Sequence, residues 1–199
     1  MKNSLGNVWR FAEKHLTLHP KSIKATQNMD KIKVSQDELK TFLEAHDFVR
    51  VAIAKKMGVS ESTVGDCFNH ALNRHGKPMS FTKRNIELLN TALQQIAEEL
   101  STCKLKCSNE EAATRRFIND DPAIIESLSR ISEYIKLRGF TYKVLGWKSR
   151  RTCENNINLK EPNPRVHLKR EEIELINTEI LAIASTLAGW EVVADEPND

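Results

Sequence analysis

The stretch Arg50–Asn69, R-V-A-I-A-K-K-M-G-V-S-E-S-T-V-G-D-C-F-N, constrains the fold most, because it has the spacing of two short helices joined by a tight turn. Gly58 stands where the chain must turn sharply, and glycine adopts a left-handed backbone at no steric cost. Ala54, four residues earlier, supplies the small side chain that lets the second helix cross the first closely. Ser60 is the predicted N-cap of the second helix, with Thr63 three residues on. The positions predicted to face the small core between the helices are all apolar: Ile53, Met57, Val59, Val64 and Cys67 or Phe68.

This spacing is that of a helix-turn-helix, a common device for placing a helix in the DNA major groove. The form A-K-K-x-G-V-S-x-S-T-V, present here as Ala54–Val64, resembles the helix-turn-helix domains of the phage repressor and Cro family. The resemblance covers Leu39–Phe68 and implies sequence-specific binding of double-stranded DNA and regulation of transcription.

In such domains, side chains on the exposed start of the second helix read bases, while flanking basic groups hold phosphates. The resemblance therefore implies a set of base-reading residues, which are Ser60, Glu61, Ser62, Thr63, Asp66 and Asn69. The phosphate-binding residues that it implies are Arg50, Lys55, Lys56, Arg74 and Lys77. For any single one of these basic residues, a solvated surface position is the alternative. Glu61 and Asp66 would be repelled by phosphates, although a carboxylate can accept a hydrogen bond from cytosine.

The second half of the chain repeats the first. Phe81–Leu100 matches Leu168–Leu187 without a gap, with identities at I-E-L, N-T and I-A. Apolar residues recur at steps of three and four in both segments, which predicts two long amphipathic helices. The two apolar stripes are Ile86, Leu89, Leu93, Ile96 and Leu100, and Ile173, Ile176, Ile180, Ile183 and Leu187. Each stripe either closes the core of its own half or pairs with another stripe, within the chain or between the chains of a homodimer.

The segment Ile131–Asn158, which precedes the second long helix, matches the first motif imperfectly. Gly146 takes the position of Gly58, but Tyr142 stands four residues before it, where a small residue is expected. The first helix of this copy is also expected to be about one turn short. The copy is either a working reader or a diverged one retained for packing.

If the second copy binds DNA, it should bind more tightly and with more salt dependence than the first, because its helix start is basic. Arginine can bind the two acceptors of guanine with a matching fork of donors. The base readers predicted for this copy are Lys148, Ser149, Arg150, Arg151 and Asn155, and Lys143 is a predicted phosphate ligand.

Basic residues are concentrated in one part of the chain. The 199 residues carry 30 Lys and Arg against 27 Asp and Glu, a net charge of only +3. The segment 136–170, however, contains ten basic residues and only two acidic ones, Glu154 and Glu161. This segment is a candidate phosphate-binding surface.

These patterns predict an all-α protein of two related helical domains, each a helix-turn-helix followed by a long amphipathic helix. We expect an N-terminal extension over 1–34 with a helix around Val8–Leu16, domains at 35–107 and 108–193, and an acidic tail at 194–199. Helix starts are predicted at Ser35, which can form a capping box with Glu38, at Ser80 or Thr82, and at Asp121 before Pro122.

No enzyme motif is present: the sequence lacks a glycine-rich phosphate loop, a G-x-S-x-G elbow and an H-E-x-x-H pair. The four cysteines form no C-x-x-C pair, so we expect no metal site, no cofactor and no catalysis. No apolar run reaches membrane-spanning length and no secretory signal is recognisable, which favours a cytoplasmic protein without a membrane partner. The alternative function is a helical protein–protein interaction module that has kept a helix-turn-helix fold without binding DNA.

Overall fold

The computed structural model of the protein describes residues 31–160 and 162–194. This part of the chain is mostly helical. The helices of the first half are α1 (Gln36–Ala45), α2 (Arg50–Met57), α3 (Glu61–Phe68) and α4 (Lys83–Thr102). Those of the second half are α5 (Glu110–Thr114), α6 (Pro122–Ser132), α7 (Leu137–Leu145), α8 (Arg150–Asn156) and α9 (Arg170–Gly189). The helix predicted around Val8–Leu16 and the tail residues 195–199 lie outside the described residues.

Five short strands accompany the helices in the described part, so the expectation of an all-α fold is only partly met. They are β1 (Ile32–Val34), β2 (Phe117–Asn119), β3 (Ile157–Asn158), β4 (Arg165–Lys169) and β5 (Trp190–Val192). β1 pairs with β5 in parallel, and β4 lies between β2 and β3 in an antiparallel sheet. Val166 and Leu168 of β4 are buried while their neighbours are exposed, which is the alternation of a strand with one covered face.

The predicted helix starts are confirmed. The Ser35 hydroxyl accepts from the Glu38 backbone N–H at 3.2 Å, and the Glu38 carboxylate accepts from the Ser35 backbone N–H at 2.8 Å. Thr82 caps α4, and the Asp121 carboxylate accepts two backbone N–H groups at the start of α6. Each cap satisfies donors that a helix leaves without partners inside it.

Both halves contain two short helices joined at a left-handed glycine. Gly58 ends α2 and Gly146 ends α7, each with φ of +68°. The expectation that the first helix of the second copy is one turn short is wrong, because α7 has nine residues and α2 has eight.

The extra residue of α7 shifts which side chain faces α8. The backbone N–H of Trp147 donates to the Thr141 carbonyl, as that of Val59 donates to the Ala54 carbonyl. Thr141 is therefore the counterpart of Ala54, and it is completely buried. Tyr142, which the sequence alignment placed there, is instead 56% exposed.

The two long helices pack against each other, and their apolar stripes are buried within the chain. Leu89, Leu93, Ile96 and Leu100 are inaccessible to solvent, and Ile176, Ile180, Ile183 and Leu187 are at most 1% exposed. Both stripes belong to one hydrophobic cluster that extends through both halves. The stripes therefore pair within the chain, and each long helix also packs against the first motif helix of its own half, α4 against α2 and α9 against α7.

Symmetric contacts join the two halves. Around the bridge between Phe48 and Ile135, the Val49 N–H donates to the Tyr134 carbonyl at 2.8 Å. The Lys136 N–H donates to the Asp47 carbonyl at 2.9 Å. Asp47 and Tyr134 are 87 positions apart, as are Val49 and Lys136, and this is also the offset between the repeated long helices. The second bond is therefore the first with the halves exchanged, which indicates an approximate two-fold relation between them.

Two equivalent asparagines extend this relation to the long helices. Asn90 of α4 donates to the Val192 carbonyl at 3.0 Å and accepts from the Val192 N–H at 2.8 Å. Asn177 of α9 makes the same two bonds to Leu105, at 3.0 and 2.7 Å. Each asparagine thus holds the segment that follows the long helix of the opposite half, and we call these contacts the asparagine clamps.

Candidate nucleic-acid interface

The start of α3 is fixed by its cap and by the burial of its inner face. The Ser60 hydroxyl accepts from the Thr63 backbone N–H at 3.1 Å, as predicted. Val64, Cys67 and Phe68 are buried against the rest of the half. The predicted base readers lie on the other side, with Ser60, Glu61, Ser62 and Asn69 exposed and Thr63 and Asp66 half-buried. This surface carries two carboxylates and no basic side chain of its own.

The predicted phosphate ligands near α3 differ in what they contact. The Arg50 guanidinium lies beside Gly65 of α3 and pairs with Glu44 at 3.1 Å. Lys55 is exposed and has no acidic partner within the described residues. Lys56 instead pairs with Glu99 of α4, which also accepts the Tyr134 hydroxyl. The charge of Lys56 is therefore already balanced.

Arg74 and Lys77 lie on a small hairpin that follows α3. The Asn73 N–H donates to the Lys77 carbonyl at 2.8 Å, and the Asn73 side chain accepts from the backbone N–H groups of His75 and Lys77. Gly76 completes the turn with φ of +71°. A bridge between Leu72 and Pro78 closes the hairpin, which presents Arg74 and Lys77 to solvent.

The start of α8 presents a basic surface in the second half. The Ser149 hydroxyl accepts from the Thr152 backbone N–H at 3.0 Å and caps the helix. On the inner face, buried Cys153 lies 3.5 Å from the Thr141 hydroxyl of α7. The residues predicted to read bases, Lys148, Ser149, Arg150, Arg151 and Asn155, are all exposed.

The surroundings of Glu154 show how basic this surface is. Arg150 donates a hydrogen bond to the Glu154 carboxylate one turn away. This bond is the main reason that the pKa of Glu154 lies below its usual value, and the charges of Arg150, Lys160 and Arg138 lower it further. Three cations thus surround a single carboxylate, while Lys148 and Arg151 have no acidic partner within the described ranges.

Lys143, a predicted phosphate ligand, serves as a contact between the halves. Its Nζ lies 2.6 Å from the Asp47 carboxylate and donates to the Ala45 carbonyl at 2.6 Å. Both partners belong to the first half, so its charge is balanced within the chain.

Arg138 is a further basic residue near α8 that was not among the predicted site residues. It is the second residue of α7 and is exposed; by the 87-residue offset between the halves it corresponds to Val51, and Leu137 corresponds to Arg50. The signal in the sequence is its place in the basic segment 136–170.

Within the ranges 31–160 and 162–194, no group of three or more His, Cys, Asp or Glu side chains could hold a metal ion. All four cysteines are free thiols, and burial is the main cause of the raised pKa values of Cys67, Cys103 and Cys107. None of the described helices has the length and apolar character needed to span a bilayer.

Comparison of the chain with protein-family models, with curated proteins and with solved structures finds no match in any of the three sets.

Proposed function

We propose that this protein binds double-stranded DNA in a sequence-specific way and regulates transcription, with α3 and α8 as recognition helices in the major groove. One observation carries the proposal: the exposed start of α8 displays Lys148, Arg150 and Arg151, and its inner face packs on α7. A capped helix held in this way presents cationic donors as a helix-turn-helix reader does. The proposal involves no catalysis and no cofactor, and it places the protein in the cytoplasm.

The chemistry of the two readers suggests different roles. Arg150 and Arg151 can donate to the acceptors of guanine, whereas the hydroxyls and carboxylates of α3 suit adenine or cytosine amino groups. Arg50, Lys55, Arg74 and Lys77 around α3 supply the positive charge that its own surface lacks. Arg138 is an additional phosphate ligand in the second half.

The first test is the fluorescence anisotropy of a labelled random-sequence duplex, titrated with the protein at several salt concentrations. We expect binding that weakens steeply with salt, because each neutralised phosphate releases counterions. Replacing both Arg150 and Arg151 by Ala should weaken binding and reduce the log–log salt slope by about 1 to 2, since each contact contributes roughly 0.9.

The matched control is the double variant Lys104→Ala with Lys106→Ala, which removes the same charge from exposed residues of the segment after α4. It should leave the slope nearly unchanged. Glu154→Gln should act in the opposite direction and strengthen binding, because it releases Arg150 from its present partner. Equal effects of the two double variants would show that general charge, and not α8, governs binding.

The protein-interaction module remains the second candidate, and two observations favour it. Glu61 and Asp66 lie on the α3 surface, and Lys56 and Lys143 are already neutralised by carboxylates. If the duplex does not bind even at low salt, this candidate replaces the first.

A further inference from the structure

We propose that a single chain binds one DNA site composed of two unlike half-sites, one read by α3 and the other by α8. This inference rests on the proposed function and specifies the class of DNA that the protein recognises. Helix-turn-helix proteins usually reach two half-sites as two-fold symmetric dimers, and the symmetry of the site mirrors that of the protein. In this chain the symmetric pair is built from two halves of one molecule.

The contacts between the halves fix the orientation of one reader relative to the other. The bridge at Phe48 and Ile135 joins the chain just before α2 to the chain just before α7. These are the first helices of the two motifs, and each packs against the reader that follows it. Lys143 of α7 strengthens it through its contact with Asp47.

The asparagine clamps and the pairing of β1 with β5 join the halves at further places. β1 belongs to the first half and β5 follows the last helix of the second, with Ile32 opposite Trp190 and Val34 opposite Val192. The bridge, the two asparagine clamps and the strand pair thus join the halves at four places. The readers are therefore held on a rigid frame instead of on a flexible linker.

The apolar surface that would normally form a dimer is used within the chain. The stripes of α4 and α9 cover each other and are at most 7% exposed along their whole length. A second chain is not required to bury them. A single chain therefore contains two readers related by an approximate two-fold axis, which is the arrangement needed to bind two half-sites.

The two readers are chemically unlike, so the half-sites should be unlike as well. The α8 surface has three basic side chains and one acidic one, whereas the α3 surface has Glu61 and Asp66 and no basic residue. Arginine favours guanine, and a carboxylate accepts from the cytosine amino group. An exact palindrome would match one reader and mismatch the other.

The experiment begins with selection of preferred duplexes by the full chain, from a library with a randomised region of roughly 30 bp, about three helical turns. Native mass spectrometry of the selected complex then counts the chains on each duplex. We expect one chain per duplex and two different conserved half-sites. Inserting five base pairs between them, about half a helical turn, should weaken binding at least about tenfold, because the rigid frame cannot follow the rotation.

Two variants assign the half-sites. Arg151→Ala should relax base preference in one half-site only, and Glu61→Gln should do so in the other only. Both side chains are exposed, which makes these substitutions mild for folding. In a homodimer that uses the same single reader from each chain, the variant in that reader would change both half-sites together, and the other variant would change neither.

Two chains on a palindrome would overturn the inference and leave the proposed function standing. A single conserved half-site that responds to only one of the two variants would have the same consequence. Failure to bind any duplex would refute the proposed function itself, so the two failures are distinguishable. The count of chains is made on the unmodified protein and does not depend on either variant being folded.

Discussion

Replacing Asn177 by Ala removes both hydrogen bonds through which α9 holds the backbone of Leu105. The side chain accepts from the Leu105 N–H at 2.7 Å and donates to its carbonyl at 3.0 Å. Asn177 is 9% exposed and Leu105 is 2% exposed, so water has little access to the groups left behind. The substitution therefore leaves a buried donor and a buried acceptor without partners.

The magnitude follows from these two groups. A buried backbone group without a partner costs about 1–3 kcal/mol, so the pair should lower the free energy of unfolding by about 2–4 kcal/mol after local relaxation. That is a large part of the roughly 5–15 kcal/mol typical of a folded domain. For a chain of this length each kcal/mol changes Tm by about 2–4 °C, which gives a decrease of roughly 4–16 °C.

Urea unfolding followed by circular dichroism, together with a thermal melt, measures both quantities. Thr178→Ala is the matched control, because its hydroxyl is exposed and bonds only to the Glu174 carbonyl of the same helix. It should change stability by less than about 0.5 kcal/mol. Asn90→Ala, at the equivalent clamp, should cost less than Asn177→Ala, since Asn90 is only half-buried.

The reasoning would be refuted if Asn177→Ala were no more destabilising than Thr178→Ala. That result would mean that water or local rearrangement satisfies Leu105, and that the clamp does not hold the halves together. An unchanged unfolding free energy with a changed m-value would instead indicate that the two halves unfold separately.

Two further substitutions, at Asp121 and at Gly139, test contacts that stabilise the fold. Burial raises the pKa of Asp121, but hydrogen bonds from Ser108, Ile124 and Ala123 outweigh it and place the pKa below its usual value. The stability that this carboxylate contributes is then present above its ordinary pKa of about 4 and is lost as pH falls below it. In Asp121→Asn, the free energy of unfolding should therefore decrease less between neutral and acid pH than in the unmodified protein. An equal decrease in both proteins would contradict this. Gly139→Ala would place a Cβ in steric conflict with the Asp47 carboxylate and should destabilise the fold by about 1–3 kcal/mol in urea unfolding. Gly189→Ala, at the end of α9 with open space around it, should be neutral or slightly stabilising, so equal effects of the two alanines would argue against the contact.

The first motif and the long helices could be predicted because their signals are local. A glycine at the turn, a serine at the helix start and apolar residues at helical spacing act within a few positions of the chain. Gly58 and Ser60 therefore have the predicted conformation and hydrogen bond. The exposure of the α3 surface follows from the same periodicity.

The contacts between the halves could not be predicted, because their partners lie far apart in sequence. The repeat aligns Asn90 with Asn177, so their equivalence can be read from the sequence. The repeat does not, however, indicate that their partners are Val192 and Leu105. The pairing of β1 with β5 joins residues near opposite ends of the described chain, and strands of three residues carry almost no periodic signal.

The second motif was misaligned for a different reason. The single extra residue in α7 moves the small-side-chain position from Tyr142 to Thr141, and a count back from Gly146 cannot detect this. Lys143 was predicted to bind phosphate because it is a lysine, but in the fold its side chain pairs with the Asp47 carboxylate. Residue type sets what a side chain is able to bind, whereas the fold decides what lies within its reach.

The difference between the two readers is easier to understand on a fused frame than in a homodimer. In a homodimer one sequence supplies both recognition helices, so a substitution that suits one half-site is imposed on the other. Here the clamps and the bridge at Phe48 preserve the two-fold frame, while α3 and α8 are encoded separately. Under the proposed function, an acidic reader that binds weakly by itself is compatible with DNA binding, because the basic α8 would provide the affinity and α3 would contribute discrimination between sites.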